Sequence, residues 1–322
     1  MKSIVFICPY FGILPKDQML LWLKTCQKNN SINWVVITDD KTDFKLPENV
    51  SVKYMKFEEL KKRIQNKFSF KIKIESVYKI CDFKPLYGFL FPEIVKGYDF
   101  WGYCDMSDTL FGDLRLFFTE EILSSYEKIL YLGHMSLYKN TEPINARFKI
   151  MTKSGKKLQD IIGTSNNMAF DELNNYSINQ IYHENNFMLL RIDEMYADIC
   201  DLYYGFRLSC YDKKFKQYLY PKQPRVFEWN DGKLCDCWVE NNTLCKREIG
   251  YVHFQKRKIE YMVPSGCNHF YIVPNKIVSA EKELTVESVK RYSKDKIFYR
   301  KYFELKYAAL KYHMKRFIHY NE

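Results

Sequence analysis

The residues best suited to chemistry are the aspartates in the stretch DFWGYCDMSDTLFGDLRLFF, residues 99–118. Asp105 and Asp108 follow an apolar run, and Asp113 comes five residues later. Carboxylates confined together repel one another unless a cation or hydrogen bonds intervene, so a bound divalent metal would explain the cluster. A second interpretation stays open at this point, in which Asp108 caps a turn and Asp113 caps the helix that follows.

The elements that position these aspartates are predicted from hydrophobic periodicity. The pattern predicts a strand in KSIVFICPYFG, a helix in PKDQMLLWLKTCQKN, strands in INWVVITDD and LPENVSVKYMKF, a basic helical stretch from Glu58 to about Ile80, and a strand from Tyr98 to Cys104. The first three elements form a β-α-β unit, which favours a parallel sheet with ligand chemistry at the carboxyl ends of its strands. Asp105 is therefore expected at the carboxyl end of a central strand.

The charge of the chain is concentrated at its carboxyl end. The formal net charge is +11, and residues 290–322 hold ten Lys and Arg residues but three acidic ones. Helical spacing there places apolar side chains on one stripe: Tyr299, Phe303, Tyr307, Leu310, Met314 and Phe317. Such a basic helix either lies on an anionic membrane surface or docks its aromatic stripe on the body of the protein. Because the excess charge is local and the predicted pocket is acidic, general nucleic-acid binding is not favoured.

Size and cysteine usage set further limits. A chain of 322 residues suffices for one large α/β domain or two modest ones. The ten cysteines are scattered, and the N-terminal apolar run ends at Pro9, too early for a secretion signal. We therefore expect a reducing cytoplasmic location, and no apolar run reaches the length of a membrane span.

Eight motifs follow one another between residue 9 and about residue 258: PYFG, WVVITDD, YKICDFKPLYG, GYDFWGYCD, FGDL, GHMSLYKN, AFDE and YVHFQKRK. This ordered series resembles a family of bacterial glycosyltransferases found in capsule and surface-polysaccharide gene clusters. The resemblance implies a GT-A fold, with a Rossmann-like mixed sheet flanked by helices, a smaller acceptor-binding half and a basic C-terminal helix. It also implies a D-x-D motif that holds Mn²⁺ or Mg²⁺ against the donor diphosphate.

The match departs from the family at the metal motif. The family pattern would be W-G-Y-C-D-x-D, whereas this chain has Asp105-Met106-Ser107-Asp108, so the second acid is one residue late. Either Asp108 reaches the metal from a shifted turn, or Ser107 replaces a ligand and the dependence on metal is weakened. We favour the first, with His253 as the late metal or diphosphate ligand that the resemblance implies.

The resemblance also implies a donor site for a nucleotide sugar, by default a UDP-sugar. Lys84 would stabilise the charge that develops on the leaving diphosphate, and Asp82 would bind a ribose or sugar hydroxyl. The other residues implied for donor binding are Pro9, Tyr10, Phe11, Asp39, Asp105, His253, Gln255 and Lys256. Tyr10 as core packing and His253 as a buried strand histidine are the alternatives.

An inverting transferase needs a base beside the acceptor hydroxyl, and MAFDELNN is the matched acidic segment. We predict Asp171 as the base and Glu172 as the acceptor binder, with the reverse assignment open. The alternative is that Asp171 caps a helix and Glu172 lies in its first turn. His134 would contact the acceptor or the donor sugar, or would be a turn residue.

The predicted organisation is a nucleotide-sugar-binding half at 1–118, an acceptor-binding half at 119–275 and a basic tail at 276–322. The predicted function is transfer of a hexose to a glycan acceptor, lipid-linked in one version, by an enzyme in the cytoplasm or on the inner face of the plasma membrane. A retaining transferase, a non-catalytic sugar-binding protein and a nucleic-acid-binding protein are the alternatives.

Overall fold

The structure is a computed structural model that describes residues 1–106, 108–255, 257, 259–264, 266–296, 299–300, 302–304, 306–307 and 310–311. The chain forms two compact units, Met1–Met195 and Tyr196–Glu322. The predicted boundary after residue 118 lies inside the first unit, because strands beyond that residue continue the same sheet.

The first unit alternates strands and helices. Its strands are β1 (Ile4–Tyr10), β2 (Ile32–Thr38), β3 (Val50–Tyr54), β4 (Phe100–Cys104), β5 (Thr109–Phe111), β6 (Lys128–Leu132), β7 (Met135–Lys139) and β8 (Leu189–Leu190). Its helices are α1 (Lys16–Gln27), α2 (Phe57–Gln65), α3 (Tyr87–Leu90), α4 (Pro92–Val95), α5 (Glu120–Ser125), α6 (Glu142–Asn145), α7 (Leu158–Ile162) and α8 (Ile178–Glu184). Short 3-10 segments cover Val77–Leu86, Leu114–Leu116, Arg147–Lys149 and Asp193–Met195.

A seven-stranded mixed sheet organises this unit, in the order β3-β2-β1-β4-β7-β6-β8. β1 pairs in parallel with both β2 and β4, whereas β4 and β7 are antiparallel. The predicted β-α-β unit and the mixed α/β class are confirmed. Because β1 lies between β2 and β4, the strand order reverses there, and ligands of open α/β sheets bind outside the carboxyl ends of strands at such a point.

Helices cover the two faces of this sheet. Val5 and Ile7 of β1 share a buried cluster with Leu60 and Ile64 of α2. Phe6 points to the other face, as strand alternation requires, and stacks on Trp34, whose ring meets Trp22 of α1. Burial of these large side chains, at about 25 cal/mol per Å² of apolar surface, anchors the strands that end at the candidate site.

The helix predicted from Glu58 to about Ile80 is shorter than expected. α2 ends at Gln65. The side chain of Gln65 donates to the Phe70 carbonyl at 3.0 Å and accepts from the Ile72 amide at 2.9 Å. These bonds hold the following residues in an irregular segment, and the apolar alternation in FSFKIKI is a strand-like pattern rather than a helical one.

The second unit is built mainly of strands. They are β9 (Tyr196–Asp198), β10 (Ser209–Tyr211), β11 (Gln217–Leu219), β12 (Arg225–Asn230), β13 (Lys233–Glu240), β14 (Thr243–Glu248), β15 (Tyr251–His253), β16 (Glu260–Met262), β17 (His269–Val273) and β18 (Lys276–Ser279), with helix α9 (Val286–Tyr292). A six-stranded sheet has the order β14-β13-β12-β17-β18-β16. β12 and β13 form a hairpin, with Asp231 and Gly232 at positive φ between them.

The basic tail is helical wherever it is described between Arg300 and Lys311. Tyr299 and Tyr302 contact the rings of Tyr204 and Tyr203, with centroid distances of 5.8 and 6.4 Å. The predicted stripe residues Met314 and Phe317 lie outside the described residues. Among the residues that the structure describes, no helix has the length and apolar character needed to cross a membrane.

Candidate functional site

The carboxyl ends of β1, β2 and β4 bring several predicted donor residues to one edge of the first sheet. Asp39 follows β2, and its Oδ1 accepts a hydrogen bond from the Gly12 amide at 2.8 Å. Asp40 accepts from the Leu14 amide at 2.7 Å. These two bonds tie the loop after β1 to the end of β2, and Gly12 has a φ of 102°, which favours glycine.

The three predicted pocket residues after β1 have different surroundings. Pro9 and Tyr10 are half-buried, whereas Phe11 is buried and packs on Phe57 with centroids 5.3 Å apart. Burial raises the pKa of the Tyr10 phenol, and the carboxylates of Asp108 and Asp40 raise it further. Tyr10 therefore lies within electrostatic reach of Asp108 at this edge, while Phe11 is core packing.

Lys84 is the central cation of the site. Its Nζ donates to Asp105 Oδ1 and to the Gly133 carbonyl, both at 2.7 Å, and lies 3.6 Å from Asp171 Oδ2. Burial opposes the charge of this ammonium, but the carboxylates of Asp105 and Asp171 outweigh it and hold the pKa of Lys84 well above its ordinary value. Lys84 therefore carries a positive charge beside the end of β4.

Asp171 lies beside Lys84, and Glu172 follows it in the turn before α8. Asp171 is 2% exposed, and its burial raises the pKa of its carboxyl to about 8 despite the opposing charge of Lys84. The helix α8 is capped by Ser177, whose side chain accepts from the Gln180 amide, so Asp171 is not a helix cap. A carboxyl with a pKa near neutrality suits proton transfer.

Gly133 is a site residue that the sequence did not single out. A Cβ built on it would lie 2.3 Å from Glu172 Oε1 and 2.6 Å from Asp171 Oδ2. The absence of a side chain thus lets both carboxylates approach the turn between β6 and β7. The one signal in the sequence is a glycine directly after a predicted strand, in KILYLG.

Asp105 and Asp108 are the predicted metal ligands of the first unit. Asp105 directly follows β4, its side chain is 36% exposed, and its amide donates to the His134 carbonyl at 2.9 Å. Asp113 accepts from the Arg115 amide and caps only the 3-10 segment Leu114–Leu116, whereas the helix α5 that follows is capped by Thr119. Asp108 is half-buried. Carboxylate oxygens are ligands that Mn²⁺ and Mg²⁺ prefer, so the chemistry of these two side chains suits such an ion.

Asp82 does not lie open to a ligand. It is fully buried, and its oxygens accept hydrogen bonds from Lys79 Nζ and from the amides of Met168 and Phe170. The predicted role in binding a ribose or sugar hydroxyl is therefore replaced by a structural one, because every one of these partners belongs to the protein.

The second unit holds the predicted late-chain residues. His253 lies in β15, opposite Asp198 of the parallel strand β9, and its Nδ1 lies 2.7 Å from Asp198 Oδ1. Gln255 Nε2 donates to both oxygens of Asp198, at 3.2 and 3.0 Å. A carboxylate on one ring nitrogen fixes the orientation of an imidazole whose other nitrogen serves a ligand. Lys256 lies outside the described residues.

The sequence pattern did not predict Asp198 as a site residue, although this aspartate ends the apolar run MYAD. His134 is buried in the turn after β6, and Asp198 and His253 are also largely buried. Most of the predicted site residues therefore lie at strand ends or in turns.

The residues matched by a known family cover most of the chain. A family described as "Family of unknown function (DUF6625)" matches residues 6–281. This chain belongs to that family. The match includes β1 and extends beyond β18, so the DUF6625 assignment takes in the candidate residues of both units. No curated protein matches the sequence.

Two solved structures resemble this DUF6625 protein at low identity. The crystal structure of the glycosyltransferase GlyE in Streptococcus pneumoniae TIGR4 is 11% identical over 60% of this chain and 46% of that chain, with a TM-score of 0.33. The apo-form of the same glycosyltransferase is 14% identical over 61% of this chain and 46% of that chain, with a TM-score of 0.35. The chain thus spans about half the length of these structures, and likenesses this distant carry no argument about function.

Proposed function

We propose that this DUF6625 protein is a glycosyltransferase of the GT-A type that transfers a hexose from a nucleotide sugar, by default a UDP-sugar, to a glycan acceptor in capsule or surface-polysaccharide synthesis. The observation that carries the proposal is the group formed by Lys84, Asp105 and Asp171 at the carboxyl end of β4. Two further points support the proposal. The group lies near the point where the strand order reverses, and the sequence motifs occur in the order that the resemblance expects.

The proposed donor site uses the charge of Lys84. Departure of a nucleoside diphosphate places negative charge on phosphate oxygens, and a fixed ammonium in a partly buried site stabilises that charge as it develops. Asp105 and Asp108 would hold Mn²⁺ or Mg²⁺. When bound, the ion would supply Lewis-acid stabilisation of the same diphosphate.

The proposed inverting chemistry assigns the base to Asp171 and acceptor binding to Glu172. Glu172 is half-buried and follows the buried Asp171 in the chain. Once its own carboxyl is ionised, Asp171 takes the proton of the acceptor hydroxyl. We expect Asp171→Asn to lower kcat by about 10²-fold or more while donor binding stays intact. A variant with the normal rate of sugar transfer would remove Asp171 from this role.

The proposal is tested by thermal unfolding in the presence of UDP, GDP or CMP, each with and without Mn²⁺. A ligand that binds only the folded protein raises the melting temperature, by about 5 °C or more at a hundred times its dissociation constant. We expect UDP to raise the melting temperature in the presence of Mn²⁺. In Asp108→Ala, we expect the part of this rise that depends on Mn²⁺ to disappear. If no nucleotide shifts the melting temperature of a folded sample, the transferase proposal fails.

A membrane contact through the tail is part of the same proposal. Phe303, Tyr307 and Leu310 are 50%, 68% and 58% exposed, while Tyr299 and Tyr302 pack on the rings of the second unit. An exposed apolar stripe among Lys and Arg residues fits the surface of an anionic bilayer, where a lipid-linked acceptor would be found. The proposed location is the cytoplasm, at the inner face of the plasma membrane.

A further inference from the structure

Lys79 and Asp82 form an ion pair in the interior of the first unit. Both side chains are 0% exposed, and Lys79 Nζ donates to Asp82 Oδ2 at 2.7 Å. The same ammonium donates to the carbonyls of Ile161 and Asn166, at 2.7 and 2.6 Å. An ammonium has three protons to donate, so these partners use its full capacity.

The carboxylate of the pair holds the backbone that leads to Asp171. Asp82 Oδ2 accepts from the Met168 amide at 2.9 Å, and Oδ1 accepts from the Phe170 amide at 3.0 Å. Ala169, between these two residues, has a φ of 51°, a left-handed conformation that is costly for alanine. The surroundings must therefore impose this local geometry, and Asp171 is the next residue after the segment held.

The segment that is held has no regular structure of its own. After α7 ends at Ile162, residues 163–177 form turns and bends before α8 begins. A backbone without ladder bonds must find other partners for its amides and carbonyls. The ion pair supplies partners for residues 166, 168 and 170 of this segment, and for the Ile161 carbonyl in the last turn of α7.

The pair and the central cation belong to one short element. The 3-10 segment Val77–Leu86 carries Lys79, Asp82 and Lys84, and Lys84 Nζ lies 3.6 Å from Asp171 Oδ2. This element therefore contacts the loop that contains Asp171 at two places. Asp82 binds backbone amides of the loop, and Lys84 lies beside the Asp171 carboxylate. A buried ion pair is a weak source of stability compared with apolar residues of the same volume, so a role in fixing one arrangement accounts better for its presence.

We propose that the buried Lys79–Asp82 ion pair is a positioning device that fixes the 166–170 backbone and thereby sets the Asp171 carboxylate beside Lys84. Its consequence for sugar transfer rests on the proposed function, whereas its effect on the geometry of the Lys84–Asp171 contact does not. Neither residue of the pair need touch a ligand.

The first test needs no variant. Hydrogen exchange of the wild-type protein should show the Met168 and Phe170 amides protected, although they lie in an irregular segment. Exchange at the rate of an open loop would overturn the proposal, because the Asp82 carboxylate would then not hold them.

The second test is a double-mutant cycle on stability. Lys84→Met and Asp171→Asn, singly and together, should show a coupling between the two side chains in the wild-type background. The coupling should be lost in an Asp82→Asn background. Where Asp82→Asn does not fold, the pair Lys79→Met and Asp82→Leu removes both charges together and serves as the background. Coupling that persists in the altered background overturns the proposal.

A matched control is the buried pair Arg225 and Asp236 of the second unit, whose side chains are 5% and 1% exposed. Asp236→Asn breaks an ion pair of similar burial that does not involve the Asp171 segment. The Lys84–Asp171 coupling should survive it, and loss of coupling in this control would mean that general destabilisation, not positioning, explains the result.

The catalytic consequence is a split between the kinetic constants. In Asp82→Asn, kcat should fall by about 10²-fold while the KM for the nucleotide sugar is unchanged, as expected when a reacting group is misplaced. Unchanged kcat with lost coupling would overturn the link to catalysis. A wild-type protein with no transferase activity would remove the proposed function, but the exchange and coupling tests would still decide the positioning role.

Discussion

Lys84 is the residue on which the chemistry of the first unit depends. It is the common partner of Asp105, the Gly133 carbonyl and Asp171, so the end of β4, the turn after β6 and the turn before α8 meet at one ammonium. Since a buried charge without partners costs several kcal/mol, the three groups and Lys84 require one another. Removal of any one of these partners should therefore lower the stability of the protein as well as disturb the site.

Gly133→Ala tests how closely the carboxylates must approach the turn after β6. The new Cβ would overlap the ends of the Glu172 and Asp171 side chains, which can move aside without displacing backbone. We expect a folded protein whose kcat for sugar transfer falls by about 10²-fold. The control is Gly266→Ala, since a Cβ there meets nothing within 4 Å. Equal activity in the two variants would contradict the close approach.

The ionisation of Asp171 should appear in the pH dependence of stability. Burial raises the pKa of this carboxyl from 3.8 to about 8, so the folded protein holds a proton that the unfolded chain loses. The stability that this gives is fully present below pH 3.8 and is lost as the pH rises towards 8. In EDTA, the free energy of unfolding of the wild type should therefore fall relative to that of Asp171→Asn across this range. A constant difference between the two proteins would show that the pKa is not raised.

At the scale of elements, the sequence predicts the strands better than the segments between them. β1, α1, β2 and β4 follow from apolar periodicity, and the order of these elements places Asp105 correctly after β4. The role of Asp82 could not be predicted, because its partners are amides nearly ninety residues away and burial is set by tertiary packing. The same limit applies to Asp198, which depends on the pairing of β9 with β15.

The end of α2 provides a test at this scale. Gln65→Ala removes the side chain that bonds Phe70 and Ile72, and we expect a loss of about 1–2 kcal/mol in the free energy of unfolding. Urea unfolding measures this loss. Gln27→Ala is the matched control, because Gln27 also ends a helix but is exposed. Similar stability of the two variants would mean that the Gln65 bonds do not hold the segment after α2.

At the scale of the whole molecule, acidic and basic side chains are concentrated in different parts of the chain. The edge of the first sheet is acidic, with Asp39, Asp40, Asp105 and Asp108, whereas residues 290–322 carry most of the positive net charge. The sequence left open whether the tail docks on the body or lies on a membrane. In the described residues Tyr299 and Tyr302 pack on rings of the second unit, while Phe303, Tyr307 and Leu310 are at least half exposed, so docking on the protein does not account for the positions of these three side chains.

Binding to lipid vesicles measures what this stripe does. Phe303→Asp together with Leu310→Asp should weaken binding to vesicles that contain anionic phosphatidylglycerol by about tenfold or more, because apolar contact and charge attraction are both reduced. Leu116→Asp is the control, since Leu116 is 52% exposed but lies in the first unit. Raised salt should also weaken binding of the wild type, because Lys and Arg residues supply the attraction to the anionic surface. Equal binding to neutral phosphatidylcholine vesicles, or an equal effect of the control substitution, would contradict a basic amphipathic contact and leave docking on the protein as the role of the tail.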